Sequence, residues 1–260
     1  MTSISTTRID AVVLQLDRLV DEAGAAGDRL GWFAALYGQT TRAVRDHVAA
    51  GRFDDGERMD RFVERFAANY LGPLEAWRAG RDVPRSWRLA FEAAHGGEGV
   101  VIMQHLLLGI NAHVNLDLAV VSADVCPGAE ITGLHDDFMR VNHILGALMP
   151  RVRACIGRFS PLLDVIDRVG GSDDDEILNF SIRVARNEAW DQALALAGAA
   201  DSARRAHLAD ALDRRVAVLG RVVAHPGGLL QRAVDLVAAT ESDDVPAVID
   251  ALRRVALPPP

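Results

Sequence analysis

One stretch of the chain constrains the fold more than any other. It reads Val100-Val-Ile-Met-Gln-His-Leu-Leu-Leu-Gly-Ile-Asn-Ala-His-Val-Asn-Leu-Asp-Leu118. Laid out at about 100° per residue, its apolar side chains point in every direction around a helix axis. Such a helix has to be covered on all sides, and a polar side chain on it is costly unless a partner meets it. The polar positions form two seams. With His105 at zero, His113 falls at about 80° and Asp117 at about 120°, while Gln104, Asn111 and Asn115 gather at roughly 240–280°. The amide seam suits hydrogen bonds that fix helix packing. In the other seam, His113 and Asp117 are an i, i+4 pair that can share a hydrogen bond or one metal ion. His105 stands about 12 Å further along the axis, a weaker third member. Gly109 between them removes a side chain and makes room for a close helix or a ligand.

The rest of the pattern is helical as well, and strand-like alternation is scarce. Helices are expected from about Arg8 to Ala23 and from Asp28 to Ala49. A third is capped by Asp54 or Asp55 and carries Phe62, Phe66, Tyr70 and Trp77, and a short one runs from Pro84 through Phe91. After Cys126-Pro127-Gly128 a long helix is expected from Leu134 to about Arg158. Ser172 with Asp173 to Glu176 reads as an N-cap with an acidic first turn, opening a helix to about Ala197. Another spans Ser202 to Ala224, and one or two shorter helices close the chain. The fold expected is all-α: a single domain over residues 1–257, a bundle of about eight to ten helices around a central buried helix near 98–120. Pro258 to Pro260 form a frayed tail.

Composition narrows the function classes. The chain has 260 residues, 50% of them hydrophobic, 5% aromatic, and a formal net charge of −8. The acidic balance argues against nucleic-acid binding. No uninterrupted apolar run reaches the roughly 18 residues of a membrane span, and the polar start lacks a secretory pattern, so a cytoplasmic protein is expected. Cys126 and Cys155 form no metal-binding or disulfide pattern. All 28 basic residues are arginine. A Schiff-base or general-base lysine is therefore excluded, while arginine stays charged when buried and binds carboxylates or phosphates bidentately.

Two further helices supply candidate partners for the central polar residues. On the helix after Leu134, Asp137 lies inside the apolar arc with Asn142 beside it, whereas Asp136, Arg140 and His143 point to the other side. On the helix after Ser172, Asn179, Arg183, Arg186 and Trp190 recur at helical spacing. Arg183 and Arg186 are natural partners for Asp117 and Asp137, either as a buried lock or as a clamp for an anionic ligand.

Three stretches carry a family resemblance: His105-x3-Gly109-Ile-Asn-Ala-His-Val-Asn-Leu-Asp-Leu118, Asp137-Phe-x2-Val-Asn142 and Arg186-x2-Ala-Trp190. They resemble a bacterial domain family of unknown function common in actinobacteria, and this implies which residues matter without implying an activity. The His-x3-Asp spacing is also faintly similar to helical zinc hydrolases of the phospholipase C and P1 nuclease type, whose further ligands have no counterparts here.

Three functional readings stay open. The first is a metal-dependent, hydrolase-like enzyme acting on a small, anionic molecule. His113 and Asp117 would ligate Zn, Fe or Mn with Asp137 or His105 completing the site, and Asn111, Asn142, Arg183, Arg186 and Trp190 would hold substrate. The second is a binding or interaction protein whose polar seams are packing locks. The third is a metal-free enzyme using His113 and Asp117 as an acid–base dyad.

Overall fold

The computed structural model describes residues 7–96, 99–165, 188–256 and 260. The predicted N-cap at Ser172, the acidic run after it, Asn179, Arg183, Arg186 and most of the predicted tail lie outside the described residues. Among the described residues the fold is all-α, with no strand. The helices are α1 (Arg8–Ala26), α2 (Leu30–Ala49), α3 (Gly56–Arg78), α4 (Arg85–Gly96), α5 (Ile102–Ala112), α6 (Leu118–Val125) and α7 (His135–Ile156). Residues 188–197 are helical (α8). They are followed by α9 (Ser202–Ala224), α10 (Gly228–Ala238) and α11 (Val245–Arg253). A π turn, His113–Asp117, joins α5 to α6, so that Ile102–Val125 is one continuous helical rod.

That rod is the buried centre expected from its all-round apolar surface. It packs against α2, α3, α4 and α9. By length and composition it is apolar enough to cross a membrane, which the search for unbroken apolar runs did not register. Its mean hydropathy is 1.5 and 78% of the apolar window is buried inside the fold. Two glycines allow its neighbours to come close. A Cβ on Gly109 would lie 2.4 Å from the Phe33 ring of α2, and one on Gly220 of α9 would lie 2.7 Å from Leu89 and 3.1 Å from the Asn111 amide.

The amide seam is a lock to α9. Gln104 Nε2 donates to the Val223 and Ala224 carbonyls at 2.7 and 3.2 Å, occupying acceptors that the last turn of α9 leaves open. Asn111 Nδ2 donates to the Val216 carbonyl at 2.9 Å, and Asn115 Nδ2 donates to Asn111 Oδ1 at 2.8 Å.

A second device recurs across the fold: a carboxylate from one element receives the open N–H groups at the start of another. Asp60 of α3 accepts from the Ile9 amide of α1, Asp213 of α9 from the Arg85 and Ser86 amides of α4, and Glu241 from the Ile102 amide of α5. Asp137 does the same for the turn before α3, accepting from the Asp54 and Asp55 amides at 2.8 and 3.3 Å. Asp55 is itself the N-cap of α3.

While Arg183 and Arg186 lie outside the described residues, two arginines that the sequence did not single out meet Asp137. Arg58 Nη2 donates to it at 2.7 Å and Arg140 Nη1 at 2.5 Å. Arg140 had been assigned to the opposite side of α7, but its long side chain reaches back three residues and also pairs with Asp54. Burial alone would raise the Asp137 pKa. The Asp54 amide, Arg58, the Asp55 amide and Arg140 together outweigh burial and hold it below the usual carboxylate range.

The stability Asp137 contributes is therefore present above its unfolded pKa of about 4 and is lost as pH falls through the lower native value. Asp137→Asn is expected to cost on the order of 3–5 kcal/mol at pH 7, because the largely buried Arg58 is left without its counter-charge. Urea unfolding of the variant and the parent at pH 7 and pH 3 measures this, with the gap narrowing at the lower pH.

Candidate functional site

The π turn carries the pair that periodicity singled out. Its defining hydrogen bond runs from the Leu118 N–H to the His113 carbonyl, five residues back. It adds a residue to the turn, so the uniform 3.6-residue projection fails beyond His113, while the i, i+4 pair stays in register. Single π turns recur at functional sites. A hydrogen bond joins His113 Nδ1 and Asp117 Oδ2 at 2.9 Å, and Trp87 Nε1–H of α4 donates to the same oxygen at 3.0 Å. Both residues are buried. Burial pushes the Asp117 carboxyl well above its ordinary range. The Trp87 bond opposes this and the charge of Asp213 adds to it, so the net shift favours the protonated carboxyl.

Aromatic rings surround the imidazole. Phe66 of α3 stacks on His113 with ring centroids 3.6 Å apart and planes at 12°, and Tyr37 of α2 meets it edge-on at 4.5 Å. Phe33, Trp87 and Tyr70 complete the ring at 5.8, 5.9 and 6.3 Å. Both tyrosines of the chain are therefore here, in a protein with only 5% aromatic residues. Phe66 and Tyr70 stand at helical spacing in the sequence. Helical spacing gives a shared face but does not tell which other residue that face packs against.

His113 also forms part of the wall of a pocket between α2, α3, α7 and the central rod, with a cavity volume of about 80 Å³. Each helix offers one stripe: Phe33, Leu36 and Tyr37 from α2, Met59, Val63 and Phe66 from α3, and Phe138, Val141 and Leu145 from α7. Among the described residues the lining carries no carboxylate and no arginine. On the other side of the pair, Asp117 borders a surface groove with Asn69, Arg85, Arg88, Asp210 and Asp213. The pair therefore sits between an apolar pocket and a charged groove.

The remaining candidates are placed elsewhere. His105 packs edge-on against Trp32 at 5.1 Å, and burial, reinforced by Arg29, lowers its pKa to about 4, so it is neutral. Asp137 is engaged at the α3 turn. Neither joins His113 and Asp117, and among the described residues no three His, Cys, Asp or Glu side chains are grouped to hold a metal ion. Asn111 belongs to the α9 lock. Asn142 lies beside the pocket stripe of α7 and donates to Met139 Sδ at 3.2 Å. Trp190 packs behind the pocket wall, 5.1 Å from both Phe138 and His135. Cys126 and Cys155 are free and buried.

Two measurements probe this arrangement. Protonated Asp117 favours the native state fully below its unfolded pKa of about 4, and that contribution is lost as pH rises through the raised native value. Asp117→Asn, which does not titrate, is expected to gain stability relative to the parent as pH rises from 5 to 8, by at most about 1.4 kcal/mol per unit. A difference in urea midpoint that stays flat with pH contradicts the assignment. Gly109→Ala forces the Phe33 ring away and is expected to cost about 1–3 kcal/mol by the same assay.

No curated protein and no solved structure matches the chain at a significant level. A family model does match, over residues 9–226, and covers the pocket, the central rod and the α9 lock. The chain belongs to that family, a family of unknown function (DUF5995).

Proposed function

We propose that the protein binds a small, largely apolar molecule in the pocket walled by Phe66, Tyr37 and His113. The observation that carries this reading is a cavity between packed helices whose walls, among the described residues, are almost wholly apolar, with a histidine as part of them. Cores close-pack, and few voids larger than a water molecule persist in them. Apolar cavities stay dry and take apolar guests. About 150 Å³ accepts benzene, so the roughly 80 Å³ here takes a short chain or part of a ring, with the remainder directed toward the partly exposed mouth at Thr40, Val141 and Leu145.

A second reading, acid–base chemistry on the bound molecule, is favoured by the position of the pair between pocket and groove. Asp117 borders the groove and is hydrogen-bonded to His113, so a proton held by the pair lies within one side chain of both spaces. The metal-dependent reading has less support. A ligating carboxylate is deprotonated, whereas burial shifts Asp117 toward its protonated form, and its Oδ2 is already engaged by both Trp87 and His113.

Toluene titration followed by ligand-observed NMR and thermal unfolding tests the binding reading. Binding is expected to raise stability by about 1.4 kcal/mol at ten times Kd. Val141→Trp, which fills the pocket from its mouth, is expected to fold and to lose the effect. Absence of toluene binding to the parent, or equal binding to Val141→Trp, overturns the reading. For the second reading, a bound molecule is expected to leave the parent chemically altered and His113→Gln unaltered, as read by mass spectrometry.

A further inference from the structure

The groove outside the pair holds hydrogen-bonding groups that the fold leaves open. It lies between α3, α4, the central rod and α9 and encloses about 730 Å³, within the range of small-molecule sites. Asp117 lines it with a side chain that is only 5% exposed. Its Oδ2 makes both the Trp87 and the His113 contacts, and Oδ1 takes no hydrogen bond from a described residue. Asn69 of α3 also lines the groove, and its side-chain amide makes no hydrogen bond to a described residue. Pro73, one turn further along α3 and on the same wall, lacks the N–H that would meet the Asn69 backbone carbonyl. The other charged groups are engaged. Arg85 pairs with Asp210 at 2.7 Å and Arg88 with Asp82 at 2.7 Å, while Asp213 takes the Arg85 and Ser86 amides at 2.8 and 3.0 Å.

We infer that this groove binds a small molecule through a primary ammonium group, which donates to Asp117 Oδ1 and to the Asn69 oxygens. The open groups are mostly acceptors: the second carboxyl oxygen, the Asn69 side-chain oxygen and the carbonyl whose helical donor Pro73 removes. An ammonium carries three N–H donors on one atom, together with a charge that matches a carboxylate. A bare carboxylate as buried as Asp117 is costly, and a docked cation offsets that cost as a proton does. An alcohol carries one donor and no charge. A carboxylate guest carries acceptors alone, and both arginines of the groove already hold aspartates. The groove lies across the His113–Asp117 pair from the apolar pocket, so its occupancy does not depend on the binding reading proposed for that pocket.

Three probes with the same four-carbon chain test this: butylamine, which is cationic at pH 7, 1-butanol and butyrate. Each is titrated into 15N-labelled protein. The indole N–H signal of Trp87, which donates to Asp117, reports events at the site and is assigned by its loss in Trp87→Phe. Butylamine is expected to move that signal saturably and to bind on the order of tenfold more tightly than 1-butanol, with butyrate weaker still. Asn69→Leu, at a partly exposed position, is expected to fold and to bind butylamine roughly threefold more weakly. Asp117→Asn keeps an acceptor for Trp87 and is expected to lose the preference for amine over alcohol. Val141→Trp, which fills the apolar pocket, is expected to bind butylamine as the parent does. No response of the parent to butylamine, or equally tight binding of 1-butanol or butyrate, overturns the inference. So does butylamine binding that Asn69→Leu leaves unchanged, whether or not Asp117→Asn folds. Loss of butylamine binding in Val141→Trp puts the amine in the pocket, which overturns this inference and spares the binding reading. Failure of toluene to bind overturns only the latter.

Discussion

A helix that is apolar on every side and still carries six hydrogen-bonding side chains imposes a single requirement on everything around it: each polar group has to be met by whatever covers it. Apart from His105, whose ring nitrogens have no hydrogen-bond partner among the described residues, the structure meets the requirement differently on its two sides. Toward α9, Gln104 and Asn111 are matched to backbone carbonyls, and Gly220 lets the two helices come near enough for the amides to reach. Toward α2 and α3 the cover is aromatic, and the polar groups are satisfied mainly by one another and by Trp87. The first arrangement fixes the rod, and the second leaves a proton-bearing pair in a low-dielectric cage.

The carboxylate caps have the same logic at a larger scale. Asp60, Asp137, Asp213 and Glu241 each tie the start of one segment to a residue 51 or more positions away. A charge-assisted bond to a helix N-terminus is stronger than an exposed ion pair because the N–H donors are fixed and partly desolvated. These contacts therefore do more to set the relative placement of the helices than the many exposed arginine–carboxylate pairs on the surface.

How much of this was legible in the sequence depends on the range of the signal. The central helix, the cap at Asp54 or Asp55 and the Ser202–Ala224 helix are encoded by residues adjacent in the chain, and periodicity and capping signals recovered them, with the structure choosing Asp55. The His113–Asp117 pair was legible for the same reason, being one turn long. The π turn was not, because nothing in His113-Val-Asn-Leu-Asp117 marks an extra residue per turn until α3, α4 and α9 enclose it. The partners of Asp137 were missed because one of them, Arg58, is 79 residues away and looks like any other surface arginine in a chain whose every cation is arginine. The aromatic cage was half legible: the rings were visible on their helices, but their common target was a tertiary fact.

The central claim is that the cage around His113 encloses an apolar cavity able to take a guest, rather than a site closed over by its own side chains or filled with ordered water. A crystal structure determined under xenon pressure tests it most directly, since xenon enters dry apolar cavities and avoids hydrated ones. The account predicts xenon in the space bounded by Phe66, Tyr37, Val141 and Leu145, with the His113–Asp117 hydrogen bond intact beside it. A cavity occupied by water, or collapsed with no xenon between those side chains, would contradict it.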